Sequence, residues 1–200
     1  SVCWSPELGL FVAVADGGIY RVMTSLDGIN WTTYAAAAAN AWQSVCWSPE
    51  LGLFVAVADG GTYRVMTSSN GMSWTARTAA EANAWRSVCW SPELGLFVAV
   101  ADGGIYRVMT SLDGINWTTY AAAAANAWQS VCWSPELGLF VAVADGGTYR
   151  VMTSSNGMSW TARTAAEANA WRSVCWSPEL GLFVAVSSDG TSRVMTSRTI

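Results

Sequence analysis

Arginine and tryptophan, each returning at a fixed interval, are the side chains of this sequence with the most chemistry to offer. Arg21, Arg64, Arg107, Arg150 and Arg193 recur every 43 residues. Guanidinium groups gathered at one point, with a tyrosine and carboxylates beside them, could hold and cleave an acidic sugar. Such a site needs convergence, whereas one arginine per repeat, each at the start of an expected strand, predicts five side chains spread apart in packing or rim ion pairs. Histidine is absent, which excludes a Ser-His-Asp triad and histidine-ligated metals. Glu7 and its copies stand in an expected turn, and their spacing gives no carboxylate pair for glycoside hydrolysis. The expectation is a protein that is not an enzyme, with no catalytic residue, metal or cofactor.

A second recurring constellation suits binding. Asn40-Ala41-Trp42 returns as Asn83 with Trp85, Asn126 with Trp128 and Asn169 with Trp171. An indole offers a flat apolar face for a sugar ring and an amide can bond hydroxyls, so four equivalent weak sites would give avidity for a multivalent glycan. Glycans are therefore a candidate partner at these eight residues. The competing role, which we favour, is burial of each indole as packing between repeats. Trp4 and Trp31 are read as core residues, and the Asn30-Trp31-Thr32 sequon, repeated at Asn116, as part of a hairpin and not a glycan site.

Composition narrows the partners further. The chain has 200 residues, 52% hydrophobic and 12% charged, with net charge −4. That is enough apolar material for a large core. All ten basic residues are arginine and none cluster, so no nucleic-acid partner is expected. The longest apolar run, Leu8 to Ala15, falls far short of the ~20 residues of a membrane helix. A soluble monomer without a membrane partner or visible secretory signal is expected. Cys3, Cys46, Cys89, Cys132 and Cys175 occupy one equivalent position per repeat, positions that should rarely come within bridging distance, and an odd count leaves one over. They read as buried free thiols, which suits a reducing compartment or cytoplasmic expression.

The elements that must position these residues follow from the repeat. Ser-Val-Cys-Trp-Ser-Pro-Glu-Leu-Gly-Leu-Phe-Val-Ala-Val begins at Ser1, Ser44, Ser87, Ser130 and Ser173. A period in the forties rich in strand formers predicts propeller blades. Within one unit, strands are expected over Val2 to Ser5, Leu10 to Ala15, Tyr20 to Ser25 and Asn30 to Tyr34. Turns over Ser5 to Gly9, Asp16 to Gly18 and Asp27-Gly28 separate them. The unbroken apolar run of the second strand fits a strand covered on both faces. Ala35 to Gln43 carries the chain to the next unit, with one helical turn possible in the alanine run. The prediction is an all-β, five-bladed β-propeller in a single domain, with blades at 1–43, 44–86, 87–129, 130–172 and 173–200. The last blade is expected to have three strands, with Arg198 to Ile200 at most a stub; the alternative is an open or intermolecularly completed ring.

The third-to-fourth-strand hairpin carries a resemblance. Ser25-Leu26-Asp27-Gly28-Ile29-Asn30-Trp31 resembles the Asp-box of sialidase-like and related propellers, with one residue fewer between Asp and Gly. It returns through Asp113, Gly114 and Trp117, and with asparagine in place of aspartate through Asn70, Gly71 and Trp74 and through Asn156, Gly157 and Trp160. The whole unit is similar to the short tandem SPDGxxW repeats of bacterial and viral propeller arrays. The resemblance implies a propeller and makes the hairpin a structural turn away from the ligand-binding face. It implies no activity.

The copies can also be compared with each other. Unit one equals unit three at all 43 positions, and unit two equals unit four. The two kinds differ only from Ile19/Thr62 onward, so the first part of each unit is invariant. Inner strands packed on both faces tolerate little change of volume, while the rim is partly solvated. Drift would scatter differences over all copies. The pattern is that of a recently duplicated or deliberately composed gene, and the reading it favours is a symmetric scaffold, designed or laboratory-evolved.

Overall fold

The computed structural model describes residues 1–197. Its first sheet holds β1 (Val2–Ser5), β2 (Leu10–Val14), β3 (Val22–Ser25) and β4 (Thr32–Tyr34), antiparallel and in chain order. The same order repeats in β5 (Trp42–Ser48), β6 (Leu53–Ala58), β7 (Val65–Ser68) and β8 (Thr75–Arg77). The third sheet is β9 (Trp85–Ser91), β10 (Leu96–Ala101), β11 (Val108–Ser111) and β12 (Thr118–Tyr120). The fourth is β13 (Trp128–Ser134), β14 (Leu139–Ala144), β15 (Val151–Ser154) and β16 (Thr161–Arg163). The last has three strands, β17 (Trp171–Ser177), β18 (Leu182–Ser187) and β19 (Val194–Thr196). Three strands are what the shortened unit predicts; Arg198 to Ile200 lie outside the described residues.

Strand boundaries differ from expectation in two instructive ways. From the second sheet onward the innermost strand starts at the tryptophan, before the repeat's own start, because Trp42 pairs with Ala58 across a bulge at Gln43. The bulge inserts one residue and turns the indole toward the preceding sheet. The fourth strand starts at Thr32 and not Asn30, since Asn30 is held by Asp27 in the hairpin. The alanine run forms bends rather than a helical turn.

Successive sheets stand face to face. Leu10, Val12, Val14 and Val22 of the first pack on Trp42, Val45, Trp47, Phe54 and Met66 of the second, and the cluster recurs down the chain. The run Phe54 to Ala58 is wholly buried, so the continuous apolar strand does have protein on both faces. A tryptophan, a phenylalanine and a second tryptophan line each of the first four sheets, as in Trp47, Phe54 and Trp74, with centroids 4.4 and 6.4 Å apart, and the fifth keeps Trp176 with Phe183.

Polar atoms tie the faces together in register. The Ser1 hydroxyl accepts from Val45 N, Ser44 from Val88 N, Ser87 from Val131 N and Ser130 from Val174 N. All five cysteines are free. Burial between the sheets pushes the Cys46 and Cys89 thiols well above their ordinary range, and those of Cys3 and Cys132 to about 11. The thiolate is the reactive form, so these sulfurs act as small apolar side chains.

Candidate binding face

In an antiparallel sheet traversed in order, the link from second to third strand and the link to the next sheet emerge at the same end. That end carries the longer loops, 15–21 and 35–41 in the first unit, and the hairpins of Glu7 and Asp27 lie at the other.

The loops at this end are sewn to one another by the two residue types that the sequence singles out. Asn40 Nδ2 donates to the Tyr63 carbonyl of the next unit, Asn83 to Tyr106, Asn126 to Tyr149 and Asn169 to Ser192. Arg64 Nε donates to Gly61 O at 3.0 Å, and its Nη1 donates to Asp59 O at 3.0 Å and to Asn83 O at 2.7 Å. Arg21 and Arg107 repeat the pattern onto Asn40 O and Asn126 O. Gly61 permits the close approach of Asn40. Its φ is +91°, and a Cβ there would collide with the amide.

The arginines are thus spent on backbone carbonyls and do not converge on a common point. The tryptophans of the proposed glycan sites are enclosed as well. Trp42, Trp85, Trp128 and Trp171 are among the most deeply buried side chains, and each donates its Nε1–H to the carbonyl four residues earlier. Asn40, Asn83, Asn126 and Asn169 are buried too. No indole face is left to stack on a sugar; these eight residues do the packing and tying that burial rewards.

The hairpin residues form a tight turn at the opposite end. Asp27 Oδ1 accepts from Ile29 N at 2.8 Å and Asn30 N at 2.7 Å, Ser25 Oγ accepts from Gly28 N at 2.8 Å, and Trp31 Nε1 donates to Gly28 O at 3.2 Å. Gly28 has φ +74°. Asn70 replaces Asp27 with the same backbone bonds, as do the turns at Asp113 and Asn156. The donated N–H bonds from Asn30 and Ile29 hold the Asp27 carboxyl well below the usual carboxylate range. For Asp113, burial alone would raise the pKa, but the bonds from Asn116, Ile115 and Ser111 outweigh it and bring it to about 2.

What the loop end leaves in solvent is a row of side chains that sequence reasoning missed. Tyr20, Tyr63, Tyr106 and Tyr149 are exposed, as are Ile19 and Ile105 beside them. Charged groups flank the row. Arg86 bridges Asp59 at 2.7 Å and Asp102 at 2.6 Å, Gln43 donates to Asp59 at 3.0 Å, and Arg172 pairs with Asp145 at 2.7 Å. The signal was present as a bulky residue pair, Ile or Thr with Tyr, following Asp-Gly-Gly where a turn has no need of one.

Comparison with known proteins decides the architecture. No protein-family model and no curated protein sequence matches the chain. Solved structures do. A streptogramin B lyase superposes with a TM-score of 0.78 at 8% identity, over 98% of this chain and 67% of that one. YCF48 bound to a D1 peptide gives 0.69 at 15%, over 99% of this chain and 62% of YCF48. A chain of a nidogen–laminin complex gives 0.65 at 9%, over 93% and 74%.

The chain is a five-bladed β-propeller. Identities this low show the fold and nothing of the activity. The propeller's five sheets are its blades, and it spans about two thirds of the length of the YCF48 and lyase chains.

A cleft of about 390 Å³ opens between the fourth and fifth blades, lined by Leu139, Val141, Val174, Phe183 and Met195. It lies away from the loop face. In earlier blades the hairpin glycine, Gly114 or Gly157, fills this place against Leu53 and Val55 or Leu96 and Val98; the fifth blade has no such hairpin among the described residues. The cleft is a packing gap of the three-stranded blade.

Proposed function

We propose that this propeller is a non-enzymatic scaffold whose loop face binds an extended peptide or a protein surface. The observation that carries the reading is the row of Tyr20, Tyr63, Tyr106 and Tyr149, exposed on loops that are themselves immobilised by the asparagine and arginine bonds. Tyrosine on a rigid support supplies large contact area at small entropic cost, and aromatic residues are enriched where proteins meet. YCF48 with a peptide and the nidogen–laminin complex are propeller-like neighbours captured with polypeptide partners, which favours the same use here.

The verbatim repetition of units one and two fits a scaffold composed or amplified as blocks, with the invariant inner strands serving the fold. A glycan partner finds less support, since the indoles it would need are enclosed. A sialidase-like hydrolase finds less still, since the arginines are bound to carbonyls.

Panning a phage-displayed random peptide library against the immobilised chain tests the reading. Enriched peptides should bind the parent and lose about tenfold or more in affinity when the four tyrosines are changed to serine, the residue that the fifth blade carries as Ser192. Failure to enrich any peptide, or equal binding to both proteins, would overturn it. Glycan-array binding that survives the four substitutions would revive the lectin reading.

A further inference from the structure

The two kinds of unit differ at ten positions, and exposure does not explain which ten. Glu7, Leu8 and Tyr20 stand in solvent in the first unit, yet all four complete units repeat them unchanged. What half of the variable positions share is a groove. It opens at the hairpin end between the first and second blades, with a volume of about 300 Å³. Leu10 and Thr24 form its floor, Leu26, Asp27, Asn30 and Tyr34 one wall, and Met72 of the second blade the other. Gly71 seats that second hairpin so close to Leu10 and Val12 that a Cβ would collide with them. Leu26, Asp27, Asn30 and Tyr34 all stand at variable positions, and Met72 stands at a fifth, as the copy of Ile29.

The variation gives the groove two forms. In the second blade the wall positions hold Ser69, Asn70, Ser73 and Arg77. Arg77 Nε donates to Thr67 Oγ1 at 3.1 Å, and Arg163 repeats this onto Thr153 in the fourth blade. Thr67 and Thr153 are the copies of Thr24, so in the even blades an arginine lies across the floor. In the first blade Tyr34 stands in the wall and the floor is open. The third blade has the sequence of the first, and Gly157 seats the fourth hairpin on Leu96 and Val98 as Gly71 does on Leu10 and Val12. The chain therefore carries the open form twice, with Asp113, Tyr120 and Met158 in the places of Asp27, Tyr34 and Met72.

We propose that each of these two grooves docks a polypeptide segment through one large apolar side chain with a lysine or arginine beside it. The pocket is apolar where Leu10, Leu26 and Met72 meet, and an unbranched methionine adapts its shape to what it covers. Asp27 is the single charged residue of the lining. The N–H bonds donated to its carboxylate keep it ionised at physiological pH. In the four complete units, both turns at this end contain carboxylates or their amides and no arginine. A cation next to an apolar anchor complements both features, and an acidic segment is repelled. Two identical grooves also give avidity to a partner that carries the motif twice. The site lies at the opposite end from the tyrosine row and stands independently of the function proposed above.

Methyl-labelled methionine NMR spectra of the 200-residue chain, titrated with the capped peptide Gly-Ser-Leu-Lys-Ser-Gly, read the site directly. The Met72 and Met158 methyl signals, assigned through Met72→Leu and Met158→Leu, should shift saturably while those of the other methionines stay in place. Tyr34→Arg with Tyr120→Arg installs the side chain that the second and fourth blades already accommodate. It should cover both floors and weaken binding about tenfold or more. Asp27→Asn with Asp113→Asn, again the residues of the even blades, should weaken it about threefold at low salt and keeps the test open should the arginine variant fail to fold. Exchanging the peptide's lysine for glutamate should weaken it further. Serine at the four exposed tyrosines should leave the affinity unchanged, so this proposal and the loop-face reading fail separately. The proposal is lost if millimolar peptide gives no saturable shift, if the arginine pair binds as the parent does, or if the glutamate peptide binds equally well.

Discussion

Trp47 donates its indole N–H to the carboxylate of Glu7, 2.7 Å away on the preceding blade and 40 positions earlier in the chain. The bond links an exposed turn to a buried aromatic ring, and it fixes the height of one blade against the next. Its copies should therefore contribute to stability only where both partners exist. Glu50→Ala, which strands the Trp90 indole, should cost about 1 to 2 kcal/mol, the worth of a partly solvated bond to a charged group. Glu179→Ala should cost under about 0.5 kcal/mol, since that carboxylate accepts only a long, exposed bond from Ser177 Oγ at 3.4 Å and no indole N–H. The midpoints of equilibrium urea unfolding check both, and equal losses would contradict the assignment.

The enclosed tryptophans make a separate prediction. Trp85→Ala should destabilise the propeller by about 3 to 5 kcal/mol through the cavity it leaves. Trp85→Phe should cost less, keeping most of the contact and losing the bond to Glu81 O. Denaturant unfolding followed by circular dichroism measures both. A ligand-stacking tryptophan would instead be removable with little change of stability.

Acid should find the aspartate hairpins before the asparagine ones. Asp27 and Asp113 have folded pKa values depressed by donated N–H bonds. Their stabilising effect is present above the ordinary value of 3.8 and fades as pH falls toward about 2, the Asp113 value. Asn70 and Asn156 make the same backbone bonds without titrating. Asp27→Asn with Asp113→Asn should leave Tm near neutrality little changed and make its decline between about pH 4 and pH 2 shallower than the parent's. Parallel declines in parent and variant would refute this role.

Much of the architecture was readable because the repeat states it many times over. Turn residues such as Pro6, Gly9, Gly28 and Gly71 have local causes in φ and hydrogen bonding, and local causes survive translation from sequence to structure. The alternative roles of Trp42 were both visible, but nothing in the order of residues could say whether the indole faced a groove or a neighbouring sheet. That depends on the bulge at Gln43, which exists only because Ala58 lies opposite. The exposed tyrosines were passed over for the same reason. Tyr63 looks like the first residue of a strand until its carbonyl is seen to be taken by Asn40 of the unit before.

The sequence by itself determined the number of blades, their strand content, the hairpin chemistry and the absence of histidine-based catalysis, because periodicity and residue type act over short distances along the chain. Only the tertiary structure decided which tryptophans are covered, where the arginines spend their donors and which tyrosines stay in solvent. Burial is a property of two surfaces brought together, and the order of residues does not record which surfaces meet.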